Sequence, residues 1–232
     1  MRSNLLVVHR MPLLLLTHPT PGATFALWRP DEPEDFFRDG LPLSASEEED
    51  LARFKDLRRL EWLASRRLLH QLTGSDARLE LAKDAFSKPF FLRHPDLHCS
   101  LSHSKGIVGA LLAEAACGCD VQVLVQKMPR LAHKFLRPEE ADFVYNHGVV
   151  EQFDLLHVFW TAKESLYKAY GLKALDFRKH IRVEPFVWEN GRAQATGWVE
   201  KDDFSGAFQL HSAKIELDER LSLIWTVCLP MG

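Results

Sequence analysis

The chain has 232 residues, enough for one large domain or two small ones, and 46% hydrophobic residues leave ample material for a core. Charge is nearly balanced, with 29 Lys+Arg against 32 Asp+Glu. That argues against a nucleic-acid coat or a membrane-binding polybasic tail and leaves any anionic ligand to local basic clusters. The four cysteines, Cys99, Cys117, Cys119 and Cys228, form no CxxC pair and lack zinc-ligand spacing, so free buried thiols in a reducing cytoplasm are expected. The first residues begin like a signal peptide. His9, Arg10 and Pro12 interrupt the apolar run, and no small-residue cleavage site follows. The longest later apolar run, Leu13 to Leu16, is far too short to span a bilayer. A cytoplasmic chain is expected, with Met11 as an alternative start.

Residues 13–17 and 24–29 read as short strands separated by the turn-forming Pro19-Thr-Pro-Gly22. Ser46 followed by Glu49 fits a capping box, opening a helix that runs to about Leu72 and stops at Gly74. Strands follow at 79–81, 97–101 and 107–113, the last two joined by a hairpin through Ser104-Lys-Gly106. The small-residue stretch Ala115–Gly118 marks the passage to a second half. That half reads as a strand at 119–124, helices at 129–136, 139–147 and 151–171, then strands at 181–188, 192–200, 206–216 and 222–228. The plan predicts an α+β fold of two similar αβ halves, residues 1–115 and 116–232, although no sequence repeat is visible.

Three segments carry residues suited to chemistry. On the predicted helix through Trp160–Lys168, the apolar arc covers most of the circumference, so the helix is largely buried. Glu164 and Lys168 at its edge are explicable as an i,i+4 surface pair. Lys163 is not, because an ammonium on a buried face needs an anionic partner. In Gly118-Cys-Asp-Val-Gln122, strand alternation points Asp120 and Gln122 to one side, where an acid and an amide oxygen can ligate a hard cation such as magnesium. The plainer alternative is a solvated strand end. In Ser100-Leu-Ser-His-Ser104, a histidine flanked by hydroxyls can bind phosphate oxygens or simply build a turn. On the first-half helix, Lys55, Arg59, Trp62, Arg66 and His70 share a face that carries no acid from Leu51 onward, which suits a phosphorylated ligand or a solvated surface.

In order and spacing these segments resemble the Sfp-type 4'-phosphopantetheinyl transferases. The pattern runs through Ala64-Ser-Arg-Arg-Leu-Leu69, Lys88-Pro89, Leu101-Ser-His-Ser104, Gly118-Cys-Asp-Val-Gln122, and Phe135 with Glu140. It ends in Trp160-Thr-Ala-Lys-Glu-Ser165 with Lys168 and Gly171. Each motif alone is weak; their order carries the resemblance. It implies two halves on a pseudo-twofold axis with the site in the cleft between them. It also implies magnesium-dependent transfer of the 4'-phosphopantetheine arm of coenzyme A to a serine of an apo acyl or peptidyl carrier protein, releasing 3',5'-ADP, by a monomeric enzyme.

By the same resemblance Asp120 and Glu164, with Gln122 beside them, hold the magnesium, and His103 meets the coenzyme's 3'-phosphate. Lys88 marks the segment near the adenine, Lys163 and Lys168 lie over the pyrophosphate, and the basic face with Arg66 adds phosphate contacts. Glu164 is the expected base and Lys168 the expected acid for the leaving group. Two positions depart from the family pattern: Gln122 stands where a second acid is common, and Ser100 where asparagine is frequent. Gln122 leaves open a coenzyme A- or nucleotide-binding regulator without turnover, and water as acceptor would make the chain a magnesium-dependent phosphohydrolase.

Overall fold

The computed structural model describes residues 13–219 and 221–231; the signal-like start and the question of Met11 lie outside them. The chain runs β1 (Leu13–Thr17), β2 (Ala23–Trp28), α1 (Glu34–Arg38), α2 (Ala45–Ala52), α3 (Asp56–Thr73), β3 (Leu81–Lys83), β4 (Pro89–Phe91), β5 (His98–Ser104) and β6 (Ile107–Ala113). It continues with β7 (Gly118–Val123), α4 (Met128–Phe135), α5 (Pro138–Tyr145), α6 (Val149–Tyr170), β8 (Ile181–Val183), β9 (Arg192–Lys201), β10 (Phe204–Asp218) and β11 (Leu221–Pro230). The result is a mixed α/β architecture. One sheet has the order β1-β2-β6-β5, a second β7-β11-β10-β9-β8, and β3 pairs with β4 in a small ribbon.

Strand alternation explains how the layers stack. On β2, Ala26 and Trp28 join Trp62, Leu63, Leu68 and Leu69 of α3 in one core, while Phe25 and Leu27 face the other way. Those two meet Val121, Val123, Trp225 and Val227 of the second sheet. On β11 the opposite set, Ile224 and Cys228, packs with Leu155, Phe159 and Leu166 of α6. The two sheets therefore lie face to face, with α3 on one outer face and α6 on the other.

Several local expectations shift. The capping box forms at Ser44 with Glu47, two residues earlier than expected, since Ser44 has the extended backbone an N-cap needs and its Oγ accepts from the Glu47 amide. The single long helix is broken into α2 and α3, with Asp56 at φ 45° where α3 begins. The stop at Gly74 stands, in the left-handed conformation. The strand expected at 181–188 ends at Val183, two residues before Pro185, which has no N–H to give a ladder. The short α1 and β4 went unpredicted. All four cysteines are free and buried, with thiol pKa values raised by burial. Among the described residues no helix is long and apolar enough to cross a membrane.

Candidate active site

Along one side of the face-to-face stack the edge strands β5 and β7 lie next to each other, and side chains make the join. The hydroxyls of Ser100, Ser102 and Ser104 accept the backbone N–H groups of Cys119, Val121 and Val123 at 2.9, 3.1 and 3.0 Å. The serine run expected to bind phosphate or build a turn thus forms a seam with a spacing of two, the period at which strand side chains share a side. Gly118 opens β7 at this edge because α6 crosses it closely: a Cβ there would sit 1.9 Å from the Ser165 carbonyl oxygen. The seam brings α3 and α6, one from each half, to either side of a cavity of about 360 Å³.

Arg66, His103, Asp120 and Lys168, all predicted, line that cavity, together with Arg58, Trp62 and Lys83. Asp120 is buried, and its Oδ1 accepts from Ser102 Oγ and from Lys168 Nζ, each at 2.8 Å. Lys168 Nζ also donates to the Cys119 carbonyl at 2.8 Å, which uses two of its three protons. One turn earlier on α6 and off the cavity wall, Glu164 is half-buried, and its side chain makes no hydrogen bond or ion pair among the described residues. Burial, and then the negative charge of Asp120, pushes its pKa up to about 7.

On the other wall, His103 Nδ1 lies 2.8 Å from Glu61 Oε2, a buried carboxylate that also accepts the Gly106 N–H. Burial lowers the histidine's pKa and Glu61 partly offsets it. Arg66 stacks 3.4 Å above the Trp62 ring centroid, and its buried Nε finds no hydrogen-bond acceptor. Glu47 Oε1 is 3.6 Å from that nitrogen, too far for a hydrogen bond, and burial brings the guanidinium pKa down to about 10.

The other predicted residues lie elsewhere. Gln122 shares the side of Asp120 but is not on the cavity wall; its amide nitrogen donates to the Val123 carbonyl at 2.7 Å and reaches Ser104 Oγ at 3.5 Å. Lys88 lines a second cavity of about 220 Å³ that shares Lys168 with the first, and its Nζ donates to the Ala169 carbonyl at 3.0 Å. Lys163 is displaced altogether. It is fully buried, 2.6 Å from Glu140 Oε2, and donates to the carbonyls of Phe135, Phe177 and Ile181. A phosphate has no access to it; the anion it needed is a carboxylate of α5. The basic face of α3 is also less free than expected, because Arg59 pairs with Glu34 of α1 at 2.7 Å. Arg58, one position away, takes the place on the wall. Glu61 and Ser102, which orient His103 and Asp120, were not singled out from sequence; Ser102 stood inside a quoted motif, but Glu61 carried no signal.

Residues 116–227 match the 4'-phosphopantetheinyl transferase superfamily. The matched span takes in Asp120, Gln122, Lys163, Glu164 and Lys168 and leaves out Arg66, Lys88 and His103. The second half of the chain is therefore similar to a transferase superfamily whose named reaction moves phosphopantetheine. No curated protein matches the chain at a significant level.

Proposed function

We propose that this chain is a magnesium-dependent, Sfp-type phosphopantetheinyl transferase, moving the 4'-phosphopantetheine arm of coenzyme A to a serine of an apo acyl or peptidyl carrier protein. The observation that carries the reading is the cavity across the β5–β7 seam, where Arg66 and His103 of the first half face Asp120 and Lys168 of the second. A long outer helix on each sheet supports the pseudo-twofold arrangement of such enzymes. Coenzyme A is a polyanion, and this wall offers it an imidazole, a guanidinium and lysine.

Asp120 and Glu164 fit a hard cation, because Glu164 has no protein partner and the two acids repel. No group of three or more His, Cys, Asp or Glu among the described residues is set to hold an ion by itself. The remaining ligands would be phosphate oxygens and water, with the Gln122 carbonyl oxygen, which meets no donor among the described residues, as a further candidate. Bound magnesium would neutralise pyrophosphate charge. Glu164 takes the proton of the carrier serine, a role to which a pKa of about 7 is well matched. The serine oxygen bonds to the β-phosphorus as the bond to 3',5'-ADP breaks. Lys168, held in place by Asp120 and the Cys119 carbonyl, gives a proton to the departing phosphate. His103 and Arg66 hold the nucleotide end.

Incubation of the protein with coenzyme A, magnesium and an apo carrier protein, followed by mass measurement of the carrier, tests this. A gain of one phosphopantetheine group is expected. An unchanged carrier with coenzyme A bound would indicate a binding protein, and coenzyme A hydrolysed without a carrier adduct would indicate a phosphohydrolase.

A further inference from the structure

We infer that Ser102 is a positioning residue that turns the Asp120 carboxylate towards the cation, an inference resting on the magnesium-dependent reading above. Three serines of β5 make the same seam bond to β7, yet only Ser102 also touches an acid. The Val121 N–H occupies a lone pair of Ser102 Oγ at 3.1 Å, and the hydroxyl proton is thereby aimed at Asp120 Oδ1, 2.8 Å away. Lys168 Nζ donates to that same oxygen. With two donors on Oδ1, Asp120 presents Oδ2, which no protein donor among the described residues meets. Ser102 is itself buried, so its hydroxyl has little water to turn towards. The seam between the halves and the setting of the acid are thus one structure: the serine that joins β5 to β7 also fixes which carboxylate oxygen faces the cavity.

Removing an outer hydrogen bond to a metal ligand characteristically weakens metal binding about 10- to 100-fold. The test is calorimetric titration of magnesium into the whole protein, free and with coenzyme A bound, for wild type, Ser102→Ala and Ser100→Ala. Ser100→Ala deletes an equivalent seam bond, to the Cys119 N–H, without touching Asp120. It should lower the melting temperature but keep the magnesium affinity. Ser102→Ala should raise the magnesium Kd about 10-fold or more. In the transfer assay it should raise the magnesium concentration for half-maximal rate while turnover at saturating magnesium largely recovers. Should Ser102→Ala not fold, Ser102→Cys, similar in size but a poor donor, replaces it with the same expectation. Equal magnesium affinity in the Ser102 and Ser100 variants would overturn the positioning role while leaving the proposed function standing. A wild type that takes no magnesium, with or without coenzyme A, would overturn both.

Discussion

Lys163 and Glu140 show what a single side chain decides. The ammonium pKa is lowered because burial outweighs the attraction of Glu140, and the carboxylate also accepts the N–H groups of Arg137 and Val183. Helices α5 and α6 and strand β8 are tied at one point. Read on a helical wheel, Lys163→Met removes a charge from an apolar arc and should stabilise the protein; with Glu140 beside it, the same change strands a buried carboxylate. Lys163→Met is therefore expected to cost about 3–5 kcal/mol in denaturant unfolding. An unchanged or raised midpoint would refute the pairing. Asp120 and Glu164 answer to a different measurement. Asp120→Ala and Glu164→Ala should each lower transfer about 100-fold or more, with the circular dichroism spectrum of the wild type retained. Near-normal turnover at saturating magnesium in either variant would remove that acid from the site.

At the scale of elements, α6 holds the second half in register through a histidine the sequence did not flag. His157 is fully buried; its Nε2 accepts the Val125 N–H at 2.9 Å and its Nδ1 lies 2.7 Å from the Phe153 carbonyl. The ring must be neutral to do both, and burial depresses its pKa below the ordinary 6.5. Unfolded, the imidazole takes a proton near 6.5, so the stabilisation is complete above that pH and is lost as pH falls towards the folded value. Its contribution should fall by at most about 1.4 kcal/mol per pH unit in that window. His70, His98, His103 and His211, whose pKa values are also lowered, contribute in the same direction, so the slope of His157→Gln is compared with that of wild type between pH 7 and the acid limit of folding. Equal slopes would show that His157 is not the linked group. The broken helix at α2–α3 belongs to this scale too. The continuous pattern up to Leu72 was legible, but the turn at Asp56 was not, because helical periodicity does not register a reversal of one residue's φ.

Across the whole molecule, the cleft exists only because the halves are joined, and His103 reports on it. Its partner Glu61 lies on α3 and its neighbour Ser102 faces β7, so one strand carries both the proposed nucleotide contact and the link to Asp120. His103→Ala should weaken coenzyme A binding about 10-fold or more, the worth of a hydrogen bond to a charged group, and 3'-dephospho-coenzyme A much less. Equal losses for the two ligands would assign His103 to the hairpin rather than to the 3'-phosphate. Much of this was open to reading along the chain. The strands of both sheets, the long helix of the second half, the burial of Lys163 and the shared side of Asp120 and Gln122 follow from local period and polarity, which depend on near neighbours in sequence. What surrounds each charge does not. The carboxylate beside Lys163, Glu34 beside Arg59, Glu61 beside His103 and the serine seam beneath Asp120 join residues up to dozens of positions apart. An ion pair or hydrogen bond needs atoms within about 3–4 Å, and sequence period carries no information about which distant element will supply them. The residue types and their faces were determined by the sequence; only the packing of the two sheets decided which basic groups are left for a ligand.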